Sequence, residues 1–171
     1  MKRITALLMC LSLILALSSC QNEKPSIGSI DSFNFSLTWN CYGVSSYDSK
    51  TGKLVKTTDA TNPEDYITTY HLTDAQRQAI YDLIQELDIN SYPDKYNPHK
   101  DGFMSNPSMT LILSVKTDTV EKTVSAENIA LEYETNNKKG QKFLDVCKDI
   151  QDILTETKEW KALPDYEFLY E

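Results

Sequence analysis

The chain has 171 residues, 40% of them hydrophobic and 25% charged, with a formal net charge of −8. That is one domain's length and enough apolar material for a real core. An acidic chain without basic clusters argues against nucleic acid, whose binding rests on cations that neutralise phosphates, and against electrostatic docking on anionic lipid.

The first twenty residues differ from the rest. Lys2 and Arg3 precede an almost wholly apolar run, Ile4 to Leu17. The run is shorter than the roughly 20 residues of a bilayer span, and its basic start fits a secretory signal peptide. It ends in Leu17-Ser18-Ser19-Cys20, an aliphatic residue, two small residues and a cysteine. This stretch resembles the lipobox of bacterial lipoproteins. The resemblance covers Met1–Cys20 only, and no diagnostic motif extends it into the domain, which resembles small lipoprotein domains only broadly. It implies cleavage after Ser19, leaving residues 1–19 as signal peptide. It also implies a diacylglycerol thioether on Cys20, with acyl chains holding the protein on the membrane. Gln21 rather than Asp after the cysteine leans towards an outer membrane, where the host has one, and otherwise towards the outer face of the cell membrane. Loss of Lys2 and Arg3 makes the formal charge two units more negative.

Residues 20–32 are polar and read as a lipidated tether, with a single α+β domain over 33–171. Phe33 to Cys41 alternates strictly: Phe33, Phe35, Leu37, Trp39 and Cys41 face one way, and Asn34, Ser36, Thr38 and Asn40 the other. That is a half-buried strand. Tyr42 to Lys56 suggests a hairpin turning at Asp48–Gly52, with a return strand from Lys53 to Thr58. Tyr66 to Leu72 is β-rich. Thr73 with Gln76 makes a capping box for a helix over Thr73–Asp88, whose Ile80, Leu83, Ile84 and Leu87 form one apolar stripe. Ser91 to Pro107 has three prolines and reads as a long loop carrying Tyr92, Tyr96, His99, Asp101, Gly102 and Phe103. Loops of this length are often functional. Ser108–Lys116 and Thr119–Ser125 form a second hairpin around Thr117-Asp118. Ala126 to Lys139 suggests a short helical turn near Ile129–Tyr133. Gln141 to Thr155 is a second amphipathic helix, with Phe143, Val146, Cys147, Ile150, Ile153 and Leu154 inward. The aromatic tail from Trp160 is expected to dock on the domain. Strands followed by a helix, twice, predict a two-layer α+β domain, an antiparallel sheet with two helices on one face, and hint at internal duplication.

No nucleophile signature, dinucleotide motif or metal-spaced Cys/His cluster is present, so no cofactor and no metal is expected. Asp94, Asn97 and Asp101 depart from the EF-hand spacing. Cys41 and Cys147 remain in an exported chain. They form either a disulfide closing a long loop, worth about 4–5 kcal/mol in the chain-entropy model, or two buried core thiols. Ten tyrosines are the least ordinary feature. Tyr92, Tyr96, His99 and Phe103 form a candidate binding loop, because amphipathic aromatics on loops favour protein and sugar contacts. The competing account folds them back as anchors over the sheet. The expected function is a non-enzymatic binding or protein-interaction module at the cell envelope, its partner an envelope protein or glycan. The alternatives are an enzyme inhibitor presenting Ser91–Pro107, or a hydrolase using His71 or His99.

Overall fold

The computed structural model describes residues 26–41, 44–57, 65–99 and 103–165. The signal peptide and lipobox, with Cys20, lie outside these residues, as do Asp101 and the tail aromatics Tyr166, Phe168 and Tyr170.

Strict alternation makes β1 (Asn34–Trp39), whose odd-numbered residues are buried. It sits at the centre of the sheet because both its edges find antiparallel partners. β2 (Ser45–Asp48) lies on one side, with Leu37 opposite Tyr47. β6 (Met109–Lys116) lies on the other, with Leu37 opposite Leu113. β3 (Lys53–Thr57) returns from the Asp48–Gly52 turn. Gly52 takes φ +71°, and a Cβ there would lie 2.8 Å from the Tyr70 carbonyl oxygen, so the turn requires glycine. β4 (Asp65–Thr69) follows β3, and β7 (Glu121–Ile129) follows β6. The described strands form one sheet in the order β4-β3-β2-β1-β6-β7-β5.

One departure from the expected antiparallel sheet lies at its end. β5 (Lys95–Tyr96), two residues inside the predicted loop, pairs in parallel with β7 at Ser125 and Ala126. β7 runs on through Ala126–Ile129, with Ile129 opposite Met109 across a bulge, and the turn expected near Ile129–Tyr133 follows it, where the Tyr133 N–H donates to the Ala130 carbonyl at 3.1 Å. The hinted duplication also has no counterpart in the sheet: a four-stranded meander fills one half and a hairpin with the two-residue β5 the other.

The helices are α1 (Asp74–Leu87), α2 (Lys138–Thr155) and the short α3 (Lys158–Lys161), which the sequence reading did not foresee. Thr73 caps α1 reciprocally with Gln76, as its spacing predicts. Ile80, Ile84 and Leu87 of α1, and Phe143, Cys147, Ile150 and Leu154 of α2, join Phe35, Leu37, Leu111, Leu113 and Val124 of the sheet in one core. The opposite sheet face carries Ser36, Ser114 and Thr123, the last two sharing a 2.8 Å hydrogen bond. Helices over one face of the sheet make this an α+β domain.

Two termini pack more tightly than the sequence suggests. Ile27, read as tether, is buried, and its N–H donates to Gln85 Oε1 at 3.0 Å. The Thr117 hydroxyl donates to the Ile27 carbonyl, and the Ser29 N–H donates to Asp118 Oδ1 at 3.1 Å. Packing on the domain therefore reaches back at least to Ile27, six residues before Phe33. At the other end Trp160 stacks on Trp39 with ring centroids 5.4 Å apart. Lys56, buried on β3, donates to the Leu163 carbonyl at 3.2 Å and lies 5.1 Å from the Trp160 ring.

Candidate functional site

The long loop separates into two parts. Tyr92 and Tyr96 turn inward and are buried. They meet edge-to-face at 5.0 Å, and both pack on Phe143 of α2. The Tyr92 hydroxyl donates to the Lys139 carbonyl at 3.1 Å, and the Lys139 ammonium sits over its ring. Burial, more than the neighbouring Tyr96, Asp88 and Cys147, pushes the Tyr92 phenol up to about 12. Burial also raises Tyr96. These two tyrosines are anchors and offer no surface to a ligand, which corrects their place in the candidate binding loop.

His99 and Phe103 take the other course. Their rings stack at 4.0 Å between centroids, and Phe103 remains 43% exposed, with Met104 beside it in sequence at 80%. The stack is held from below. The His99 N–H donates to Asn97 Oδ1 at 2.9 Å. The preceding carbonyl, that of Pro98, accepts from Thr135 Oγ1 and from Asn137 Nδ2, each at 3.1 Å. Pro98 in turn rests on Gly140 in the first turn of α2, where a Cβ would come within 2.9 Å of its carbonyl carbon. A backbone approach this close excludes any side chain at 140.

His99 and Phe103 form one wall of an open cleft of about 650 Å³, closed on the other side by Glu134, Thr135, Asn136 and Gln141. Thr135 and Gln141 are committed internally. Gln141 Oε1 accepts from the Thr135 N–H at 2.9 Å, and Gln141 Nε2 donates to the Tyr133 carbonyl at 3.0 Å. Among the described residues, Glu134 and Asn136 make no side-chain hydrogen bond and no lysine or arginine lines the cleft. Burial lowers the His99 pKa from its ordinary value, against an opposing contribution from the Asn128 backbone. Three buried side-chain polar atoms lack a hydrogen-bond partner among the described residues, and two belong to this loop: His99 Nε2 and the Tyr96 hydroxyl. The Tyr96 hydroxyl has the Asn137 side chain beside it. Such atoms cost about 1–3 kcal/mol each and call for an explanation.

The chain matches no family model and no curated protein. Function is therefore argued from the geometry.

The remaining singled-out residues do not join the cleft. His71 lines a separate, smaller cavity with Phe33, Leu72 and Arg77, so the two histidines serve no common centre. Asp94 pairs with Lys122, and Asn97 is used by His99. Among the described residues no cluster of His, Cys, Asp or Glu is arranged to hold a metal. Cys41 and Cys147 are both buried and are not joined by a disulfide. Burial alone pushes the Cys147 thiol far above its usual range, which suppresses the thiolate that nucleophilic chemistry needs. The sequence reading missed Glu134, Thr135, Asn136 and Gln141. Glu134, Thr135 and Asn136 fall in a stretch with no hydrophobic period, Gln141 lies in the first turns of α2, and only the path of the chain after β7 brings them opposite His99.

Proposed function

We propose that this chain is a lipid-anchored envelope protein whose domain is a non-catalytic recognition module, with the His99–Phe103 cleft as its contact site. The observation that carries the site is the exposed, stacked ring pair standing over an open cleft and braced against α2. A braced aromatic presents contact area at low entropic cost, because its rotamer is already fixed. Of the loop carboxylates a hydrolase would draw on, Asp94 is engaged by Lys122. The anchor rests on the Leu17–Cys20 lipobox resemblance.

Site-specific photocrosslinking in cells tests the site. A photoreactive residue at Met104 is expected to give one defined adduct, protein or glycan, absent when the probe stands at exposed Ala79 on α1 and absent in Phe103→Ala. Equal capture from both positions, or none from Met104, would remove the cleft from consideration. The anchor is tested by labelled palmitate, which should enter the wild-type chain and not Cys20→Ser.

A further inference from the structure

The chemistry of the cleft narrows its ligand, on the premise that the cleft is the recognition site. We infer that it takes an uncharged saccharide, seated with the C–H face of one ring on Phe103 and its hydroxyls on Glu134 and Asn136.

Four observations lead there. Among the described residues the lining carries no lysine or arginine and one carboxylate, so at those residues phosphate, sulfate and carboxylate ligands meet no countercharge and one repulsion. It is wide and open with polar side chains through its wall, so it does not bury a purely apolar ligand. It offers neither a deep apolar socket nor an unpaired strand edge among its lining residues, the two features by which grooves grip helical or extended peptides. What it does offer is one aromatic face and two planar polar groups. Phe103 is backed by His99 on one face and is 43% exposed. Glu134 and Asn136 are exposed and uncommitted among the described residues. A carboxylate accepts from two adjacent hydroxyls, an amide accepts and donates, and an aromatic ring covers axial C–H groups. That set matches a pyranose, whose edge is hydroxyl and whose face is apolar.

The full chain, purified in detergent, is passed over immobilised neutral glycans: α-glucan, β-glucan, mannan, xylan and chitin oligomers, with heparin as the anionic comparison. Retention on at least one neutral glycan and none on heparin is expected. Phe103→Ala and Glu134→Ala should each weaken binding by about ten-fold or more, and Phe103→Trp should retain it. Circular dichroism and thermal melts on the same variants show whether the fold is intact, which is expected because both residues are exposed. Retention that survives both alanine variants would overturn the assignment to this cleft. Absence of retention on every neutral glycan, with the Met104 probe still capturing a defined protein, overturns the saccharide and leaves the recognition module standing. Absence of both overturns the two together.

Discussion

Gly140 reverses the usual rule for glycine inside a helix. Replacing such a glycine by alanine ordinarily stabilises by about 0.5–1 kcal/mol. Here the new methyl would meet the Pro98 carbonyl group, backbone that cannot swing aside. Gly140→Ala should therefore cost about 1–3 kcal/mol in urea unfolding, and it should loosen the His99–Phe103 stack that Pro98 carries. A neutral or stabilising result would mean that the contact between α2 and the loop is looser than the geometry indicates. His99 gives a prediction with a defined sign. Its folded pKa is depressed below the ordinary 6.5, so the unfolded chain takes up the proton first as pH falls. The stability associated with the neutral ring is complete above about 6.5 and is lost as pH falls through the lower folded value. Denaturant midpoints at pH 7.5 and pH 5.5 should thus differ more for the wild type than for His99→Gln. An equal fall in both would assign the effect to groups other than His99. At this scale the sequence was only half informative. It picked out four side chains of the loop, but nothing local separates Tyr92 and Tyr96, which meet Phe143, from Phe103, which does not.

Elements with a period of their own were legible. Strict alternation located β1, the Ile80–Leu87 stripe located α1, and the Asp48–Gly52 turn joined β2 to β3 as its residues suggest. The capping box is the most specific of these signals. Gln76 serves it twice, accepting from the Thr73 N–H at 3.0 Å and from the Tyr70 hydroxyl at 2.6 Å. Thr73→Ala is expected to cost about 1 kcal/mol, and Gln76→Ala more, since it also strands Tyr70; chevron or equilibrium unfolding of the pair would rank them. Illegible elements are those defined by a partner. β5 is two residues long and exists because Ser125 and Ala126 offer a strand edge. The last residues of β7 are likewise set by a partner: Ile129 pairs with Met109 across a bulge, and the turn begins only at Ala130.

Across the whole molecule, one continuous core runs beneath both helices and encloses the two cysteines of the domain. A thiol in that core is shielded by packing and, for Cys147, by a raised pKa. Maleimide should therefore label the native chain slowly at both positions and rapidly in denaturant. Prompt labelling of Cys147 in the native chain would show that α2 opens locally far below the global unfolding free energy. The two-layer plan followed from the order of strand and helix patterns. The closure of the domain at its ends did not, because Ile27 and Trp160 find their places through residues distant in sequence: Gln85 and Thr117 for one, Trp39 and Lys56 for the other.

The clamp on Ile27 and Ser29 holds the start of the described chain at one end of the β6–β7 hairpin. The chain reaches the domain at the Thr117–Val120 turn, one end of the β6–β7 hairpin, while Phe103 precedes and Glu134 follows the other end. Eight residues of β6 separate them, roughly 25 Å at about 3.3 Å per residue. With lipid on Cys20, the few residues before Ile27 span no more than about 20–25 Å even at full stretch. On the proposed anchor the hairpin would serve as a mast, with its foot near the bilayer and the cleft at its head.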